Sequence, residues 1–184
     1  MVILGIDPGF TSCGWALLDM SSARPRAIAA GVIRTKPSKG VKVRKCDDNI
    51  ARLQEITDAL SLLHEEHRFA VIAAEAQSWT RFANADRAVA MAWGVIAATA
   101  ELFNCPVVQI RPQDAKKELL GDASASKAAV QAHLESNVVG AEKELSKITP
   151  SQQNHAADAM ACALASRGDK LIRTVLRLRK DIEE

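Results

Sequence analysis

The spacing of the apolar residues changes near residue 48, and this change constrains the fold more than any other feature of the sequence. Before it lie three short apolar runs, at residues 2–6, 13–18 and 27–33, which glycine, proline or polar residues separate. Short apolar runs bounded by turn residues are typical of β-strands. The first part of the chain therefore predicts an antiparallel meander of three strands.

After this point the apolar residues recur at helical spacing over residues 50–63. This pattern predicts an amphipathic helix with Asp47 or Asp48 as its N-cap. An apolar run follows at residues 69–74 and ends at Glu75. Such a run after a helix predicts a buried strand that lies parallel to the first strand.

The remainder of the chain predicts a strand over residues 106–110 and helices over residues 85–103, 112–120, 124–138 and 149–167. The last helix has a strong start, because Thr149, Pro150 and Gln152 fit the capping pattern. The apolar side of the 85–103 helix fits either burial against its own sheet or contact with a second copy. The order of elements predicts an α/β domain, with a mixed five-stranded sheet and helices on both faces.

Length and composition exclude several classes of protein. With 184 residues, of which 48% are hydrophobic, the chain fits one globular domain rather than a disordered one. It has no apolar run of roughly 20 residues for a membrane span, and its start does not resemble a signal peptide. The four cysteines lie far apart without a C-x-x-C pair, which argues against a zinc site or a disulfide framework. We therefore expect a cytoplasmic protein with reduced thiols.

Basic residues are clustered, although the formal net charge is only +2. Residues 21–45 hold eight Lys or Arg and no acid, and residues 167–180 hold six Lys or Arg and one Asp. Each cluster fits a solvated basic surface. Each also fits the electrostatic footprint of a nucleic-acid-binding protein.

Two acids end predicted strands: Asp7 follows the first apolar run and Glu75 follows residues 69–74. Functional groups gather at the carboxyl ends of parallel strands, so these carboxylates would meet if the two strands are neighbours. Carboxylates at close range repel each other, and a divalent cation keeps both ionised. Taken singly, Asp7 also fits the start of a turn, and Glu75 fits an exposed strand end.

The last predicted helix carries His155 and Asp158, which lie three residues apart on one face among alanines. Alone, this spacing also fits an exposed polar face near a helix start. Together with Asp7 and Glu75 it predicts a magnesium site, to which the acids supply oxygens and in which His155 binds metal or orients a phosphate. Two such ions about 3.5–4 Å apart are a known arrangement for phosphodiester hydrolysis.

Several short segments stand in the order and spacing of one known family. They are residues 3–9 (ILGIDPG), Ile33-Arg34-Thr35, Ala74-Glu75 with Asn84-Ala85-Asp86, Leu119-Leu120-Gly121 with Lys127, and residues 153–159 (QNHAADA). Over roughly residues 1–166 they resemble the RuvC-type Holliday junction resolvases of the ribonuclease H-like superfamily. The ordered set carries this resemblance, since an isolated Asp-Pro-Gly is only weakly specific.

The resemblance implies a ribonuclease H-like nuclease domain over residues 1–167. It implies four metal-binding catalytic residues, Asp7, Glu75, His155 and Asp158, and two lysines that contact DNA phosphates, Lys116 and Lys127. It further implies two Mg²⁺ ions per active site, which Mn²⁺ can replace, and a homodimer that nicks both strands of a four-way DNA junction symmetrically. A branch-migration motor is a further implied partner.

Three segments depart from the family pattern. The loop after Glu75 is about two residues longer than expected and contains Trp79 and Phe82. These rings fit two roles equally: DNA-binding wedges that stack on an unpaired base, or side chains packed against their own helix. The basic loop 36–45 and the basic amphipathic tail 168–184 look like additions that bind the junction arms through phosphates.

Other functions compete with a magnesium-dependent endodeoxyribonuclease. A non-catalytic branched-DNA-binding module would keep the fold, but nothing structural demands acids at all three positions. A ribonuclease H-like nuclease acting on other branched DNA or on RNA/DNA fits the basic surface, and the ordered motifs fit the resolvase better. An ATP-handling protein of the actin and sugar-kinase type needs a duplicated domain, for which 184 residues leave no room.

Overall fold

The computed structural model describes residues 1–38, 42–77 and 83–183, and five strands of this part form one sheet in the order β3-β2-β1-β4-β5. The strands are β1 (Val2–Asp7), β2 (Ser12–Asp19), β3 (Arg26–Arg34), β4 (Val71–Glu75) and β5 (Val107–Ile110). Strand β2 pairs antiparallel with both β1 and β3, whereas β4 pairs parallel with both β1 and β5. The predicted meander and the mixed five-stranded sheet are therefore confirmed.

The helices follow the predicted order, with one addition. They are α1 (Lys45–His67), α2 (Ala83–Leu102), α3 (Pro112–Leu120), α4 (Lys127–Asn137), α5 (Ala141–Ser146), α6 (Pro150–Ala165) and α7 (Lys170–Glu183). Helix α5 was not predicted, because its six residues are too few to show a helical period. Helix α7 forms most of the segment that we predicted as a basic tail. None of the helices described is long and apolar enough to cross a membrane.

The prediction that Asp47 or Asp48 caps α1 is wrong. The helix begins at Lys45 with Arg44 as its N-cap, so both acids lie in its first turn. The Asp47 carboxylate instead pairs with the Arg44 guanidinium at 2.7 Å, and the Asp48 carboxylate accepts the backbone N–H of Ser38 at 2.7 Å. Acids in the first turn still favour the helix, because they lie at the positive end of its dipole.

Two other predicted helix starts differ in detail. Thr149 is the N-cap of α6 and Pro150 the first helical residue, as predicted, but the Thr149 side chain makes no capping hydrogen bond. The helix therefore depends on Pro150 and on burial rather than on the full capping pattern. Helix α4 starts later than predicted, at Lys127, because Ser126 is its N-cap and accepts the N–H of Ala129.

Helices cover both faces of the sheet and define two cores. Helices α1 and α2 pack on one face, where Ile56, Leu60 and Ile96 are buried against strand residues. Helix α6 lies on the other face together with α3, α4 and α5. Val95, Ile96 and Ala100 of α2 are thus buried against its own sheet, as the first alternative for this helix predicts, and its contact with a second copy stays a prediction. All four cysteines carry free thiols.

Candidate active site

The alternation of side chains along the two central strands directs Asp7 and Glu75 to the same face of the sheet. In β1, Ile3 belongs to the core under α6 and Ile6 to the core under α1 and α2, so Asp7 faces α6. Glu75 faces the same way, because Ile6 pairs with Ala74 and the two acids come directly after this pair. Both carboxylates therefore stand at the carboxyl ends of neighbouring parallel strands, as predicted.

Helix α6 brings the other two predicted residues to these acids. His155 Nδ1 lies 2.7 Å from Asp7 Oδ2, although 148 positions separate the two residues in the sequence. One turn further along the helix, Asp158 Oδ2 accepts a hydrogen bond from Lys127 Nζ at 2.5 Å. Lys127 is the first residue of α4, so α4 and α6 meet at this contact.

These side chains surround one open cavity of about 480 Å³. Its lining comprises Asp7, Glu75, Pro112, Ala115, Lys116, Lys127, Val130, Ser151, Asn154, His155, Asp158, Ala161 and Cys162. Six of the eight residues predicted to form the site are among them. The other two, Trp79 and Phe82, lie outside the described residues.

The carboxylates of the cavity affect one another electrostatically. Burial, together with the charges of Asp7 and Asp158, raises the pKa of Glu75 to about 7. Burial also raises the pKa of Asp7, although the hydrogen bond and the charge of His155 partly oppose this shift. In the absence of a bound cation, Glu75 is therefore close to half-protonated near neutral pH.

Lys127 supplies a positive charge to this acidic site. Its burial would lower its pKa, but the hydrogen bond to Asp158 and the charges of Asp7 and Glu75 outweigh that effect and raise it. Lys127 thus stays protonated throughout the physiological range. Cys162 differs, because burial and the nearby carboxylates raise the pKa of its thiol well above the ordinary value. This thiol is protonated, and it is not a nucleophile.

The donor set fits a divalent cation chemically, since carboxylate oxygens on one cavity wall are the ligands that Mg²⁺ prefers. Burial and the charges of Asp7 and Asp158 raise the pKa of Glu75, and a bound cation would favour its ionised form. Within residues 1–38, 42–77 and 83–183, however, no three His, Cys, Asp or Glu side chains already form a group that could hold a metal ion. Asp7 and Asp158 are instead paired with His155 and Lys127, contacts that an ion would have to replace.

A buried arginine that we did not predict fixes the turn after Asp7. Arg52 of α1 is 7% exposed, and its guanidinium lies 4.0 Å from the centroid of the Phe10 ring. Its Nε donates to Thr35 Oγ1 at 2.9 Å and its Nη2 to Thr11 Oγ1 at 3.0 Å. Arg52 therefore connects the β1–β2 turn to the end of β3, next to Asp7.

Ser151, Asn154 and Cys162 also line the cavity, although they were not among the predicted residues. Together with His155 and Asp158 they form one stripe of α6 at spacings of three and four residues, which is the repeat of a single helix face. Extending the His155–Asp158 spacing by one turn in each direction would have found them.

The comparisons with known proteins assign the chain to a family. The family model described as crossover junction endodeoxyribonuclease RuvC matches residues 3–166. A relative of that name from Parasynechococcus marenigrum is 34% identical over 164 residues, which are 89% of this chain and 96% of the relative. A second, from Gloeobacter violaceus, is 32% identical over 165 residues, covering 89% of this chain and 86% of the relative.

A solved structure extends the similarity to three dimensions. The structure of T. thermophilus RuvC in complex with Holliday junction substrate superposes with a TM-score of 0.74 at 26% identity. The match covers 95% of this chain and 96% of that chain. The similarity therefore extends over nearly the whole of both chains.

Proposed function

The chain belongs to the crossover junction endodeoxyribonuclease RuvC family, and on this premise we propose that it resolves four-way DNA junctions at the cavity of Asp7, Glu75, His155 and Asp158. The observation that carries the proposal is the convergence of these four residues from two strands and one helix. Nothing in the packing of an α/β domain demands three carboxylates at one strand edge, since their burial costs free energy. Their presence together is explained by chemistry that uses them.

We propose Mg²⁺ as the cofactor, with two ions per site and Mn²⁺ as a substitute. Asp7, Glu75 and Asp158 would supply oxygen ligands, and His155 would supply a ring nitrogen or orient the phosphate. When bound, such ions supply a water nucleophile at neutral pH and stabilise the charge that develops on the phosphate.

The side chains of the chain itself bind and orient the DNA strand. Lys116 and Lys127 line the cavity, so each can hold a phosphate oxygen of the strand to be cut. The Lys127 ammonium group has three N–H donors, so it can hold a phosphate oxygen in addition to Asp158. In the metal-free site the contact with Asp7 orients the His155 ring.

The surface around the cavity suits a large polyanion. Strand β3 runs parallel to β1, so its basic end at Arg34 lies at the same sheet edge as Asp7. Lys36 and Arg44 follow in the predicted basic loop, and both are exposed. We propose that this loop and the tail 168–184 bind the junction arms by phosphate contacts, as an addition to the nuclease domain 1–167.

We further propose that the active form is a homodimer. A four-way junction offers two equivalent strands, and a two-fold dimer presents two equivalent active sites to them. Such a dimer nicks both strands symmetrically.

One gel experiment tests the proposed function. The chain is incubated with a synthetic four-way junction, a fork and a linear duplex, each with and without Mg²⁺. We expect paired symmetric nicks in the four-way junction, and only when Mg²⁺ is present. Tight binding without cleavage would favour the non-catalytic binding module, and equal cutting of the linear duplex would exclude junction selectivity.

A further inference from the structure

Gly14 of β2 lies directly beneath the backbone of His155. A Cβ atom at this position would be 2.2 Å from the carbonyl oxygen of His155 and 2.9 Å from its Cβ. Gly14 is also the register partner of Asp7 on the neighbouring strand. The absence of a side chain at Gly14 therefore lets α6 approach the sheet at the point where the His155 ring meets the Asp7 carboxylate.

Gly5 of β1 provides a second point of close approach on the same helix. A Cβ atom there would be 2.0 Å from the carbonyl oxygen of Ala159, the residue that follows Asp158. The two obstacles are backbone atoms of α6, which cannot rotate away as the end of a side chain can. A methyl group at either glycine would therefore push the helix itself away from the sheet.

Two other glycines show that this feature is local. A Cβ atom at Gly31 of β3 would meet the Trp15 side chain at 2.7 Å rather than a helix backbone. A Cβ atom at Gly94 of α2 would meet nothing within 4 Å. Of these glycines, Gly5 and Gly14 are the two that set the distance between α6 and the strand ends.

We propose that Gly14 is a positioning residue for cleavage, because it seats the α6 backbone so that His155 reaches Asp7, with Gly5 as the second support beside Asp158. This inference rests on the proposed function, since it assigns a role to the contact between two proposed catalytic residues. Gly14 has no side chain with which to bind metal or DNA. Its effect passes through the backbone of His155.

The test replaces Gly14 by alanine in a stabilised background. Gly94→Ala supplies that background, because alanine favours an exposed helical position with open space around it. We expect Gly14→Ala to lower the single-turnover rate of junction cleavage roughly 100-fold, the usual effect of a displacement of about 1 Å at a reacting centre. We expect the Kd for the junction to change less than about 2-fold, because the basic surface is untouched.

Gly31→Ala in the same background is the matched control. It also adds a methyl group to a strand glycine that has a close neighbour. Like Gly14→Ala, it should therefore lower the melting temperature. Its cleavage rate should stay within about 3-fold of the background. A Gly14→Ala variant that cleaves at the background rate would overturn the proposal. So would an equal loss of rate in Gly31→Ala, since that would make the effect one of general stability.

A double-mutant cycle with His155→Ala separates positioning from other effects. If Gly14 acts through His155, then Gly14→Ala should slow cleavage less than about 3-fold once His155 has been removed. Full multiplication of the two losses would overturn the proposal.

NMR of the histidine rings supplies a readout that does not depend on cleavage. The His155→Ala spectrum identifies the ring resonances of His155. In Gly14→Ala these resonances should shift, whereas those of His64, His67 and His133 should not. Unmoved His155 resonances would overturn the proposal. A background protein that cuts no junction at all would contradict the proposed function, and the NMR result would still decide whether Gly14 seats His155.

Discussion

Replacing Glu75 with glutamine should stabilise the metal-free protein at high pH, although it removes a proposed catalytic residue. The pKa of Glu75 rises from 4.5 to about 7 in the folded state, because of burial and the charges of Asp7 and Asp158. The folded protein therefore holds a proton that the unfolded chain releases between these two values. The contribution of Glu75 to the free energy of unfolding is therefore most favourable below the unfolded pKa of 4.5, and it falls as the pH rises toward 7.

The size of this effect follows from the separation of the two pKa values. Each pKa unit corresponds to about 1.4 kcal/mol, so the whole interval is worth about 3 kcal/mol as an upper bound. Glu75 is only half-buried, and solvent screening reduces the effect to about 1–2 kcal/mol. Glutamine has nearly the same shape and carries no charge, so the stability of Glu75→Gln should match that of the unaltered chain at about pH 4 and exceed it by about 1–2 kcal/mol at about pH 8.

Urea denaturation in EDTA, followed by circular dichroism at several pH values, measures this difference. Glu55→Gln, which removes an exposed carboxylate of α1 outside the cavity, is the matched control. Mg²⁺ added at about pH 8 should stabilise the unaltered chain more than Glu75→Gln, because a ligand stabilises the state that binds it. A Glu75→Gln variant with the pH dependence of the unaltered chain would refute the reasoning.

Three further predictions concern cleavage and binding. Asp7→Asn should reduce junction cleavage at least about 1000-fold while the junction Kd in a gel-shift assay stays within about 2-fold, and retained cleavage would remove Asp7 from the mechanism. Lys127→Ala should slow single-turnover cleavage roughly 10–100-fold, because the variant lacks both the ammonium group that holds the phosphate and the partner of Asp158. An unchanged rate would contradict the DNA-binding role. Removal of residues 168–184 should make the slope of log Kd against log salt shallower, by about 0.9 for each phosphate that the tail neutralises, and an unaltered slope would mean that the tail touches no phosphates.

The convergence of the acids could be predicted because it depends on the most regular part of the fold. Asp7 and Glu75 end apolar runs, and parallel pairing of such strands places their ends at one edge. The face that His155 and Asp158 share follows from helical periodicity alone. Local patterns were therefore sufficient to select these four residues of the cavity.

Other features depend on contacts between distant segments, and a sequence pattern does not contain them. Arg52 reads as an ordinary polar residue of a helix, and its burial follows only from the Thr11, Thr35 and Phe10 side chains around it. Asp48 is a residue type that often caps helices, but in this structure its carboxylate accepts the backbone N–H of Ser38 instead. Gly14 looks like a simple interruption of an apolar run until α6 is placed above it.

Strand β1 occupies the middle of the sheet, between an antiparallel and a parallel neighbour. Its amide protons should exchange with solvent only through the largest openings of the domain, whereas the outer strands β3 and β5 and the terminal helix open more readily. Local opening at the edges of the molecule thus costs less free energy than opening of the central strand, which carries the Asp7 carboxylate. The edge strands and α7 can therefore adjust to the shape of a branched DNA substrate while β1 and its carboxylate stay rigid.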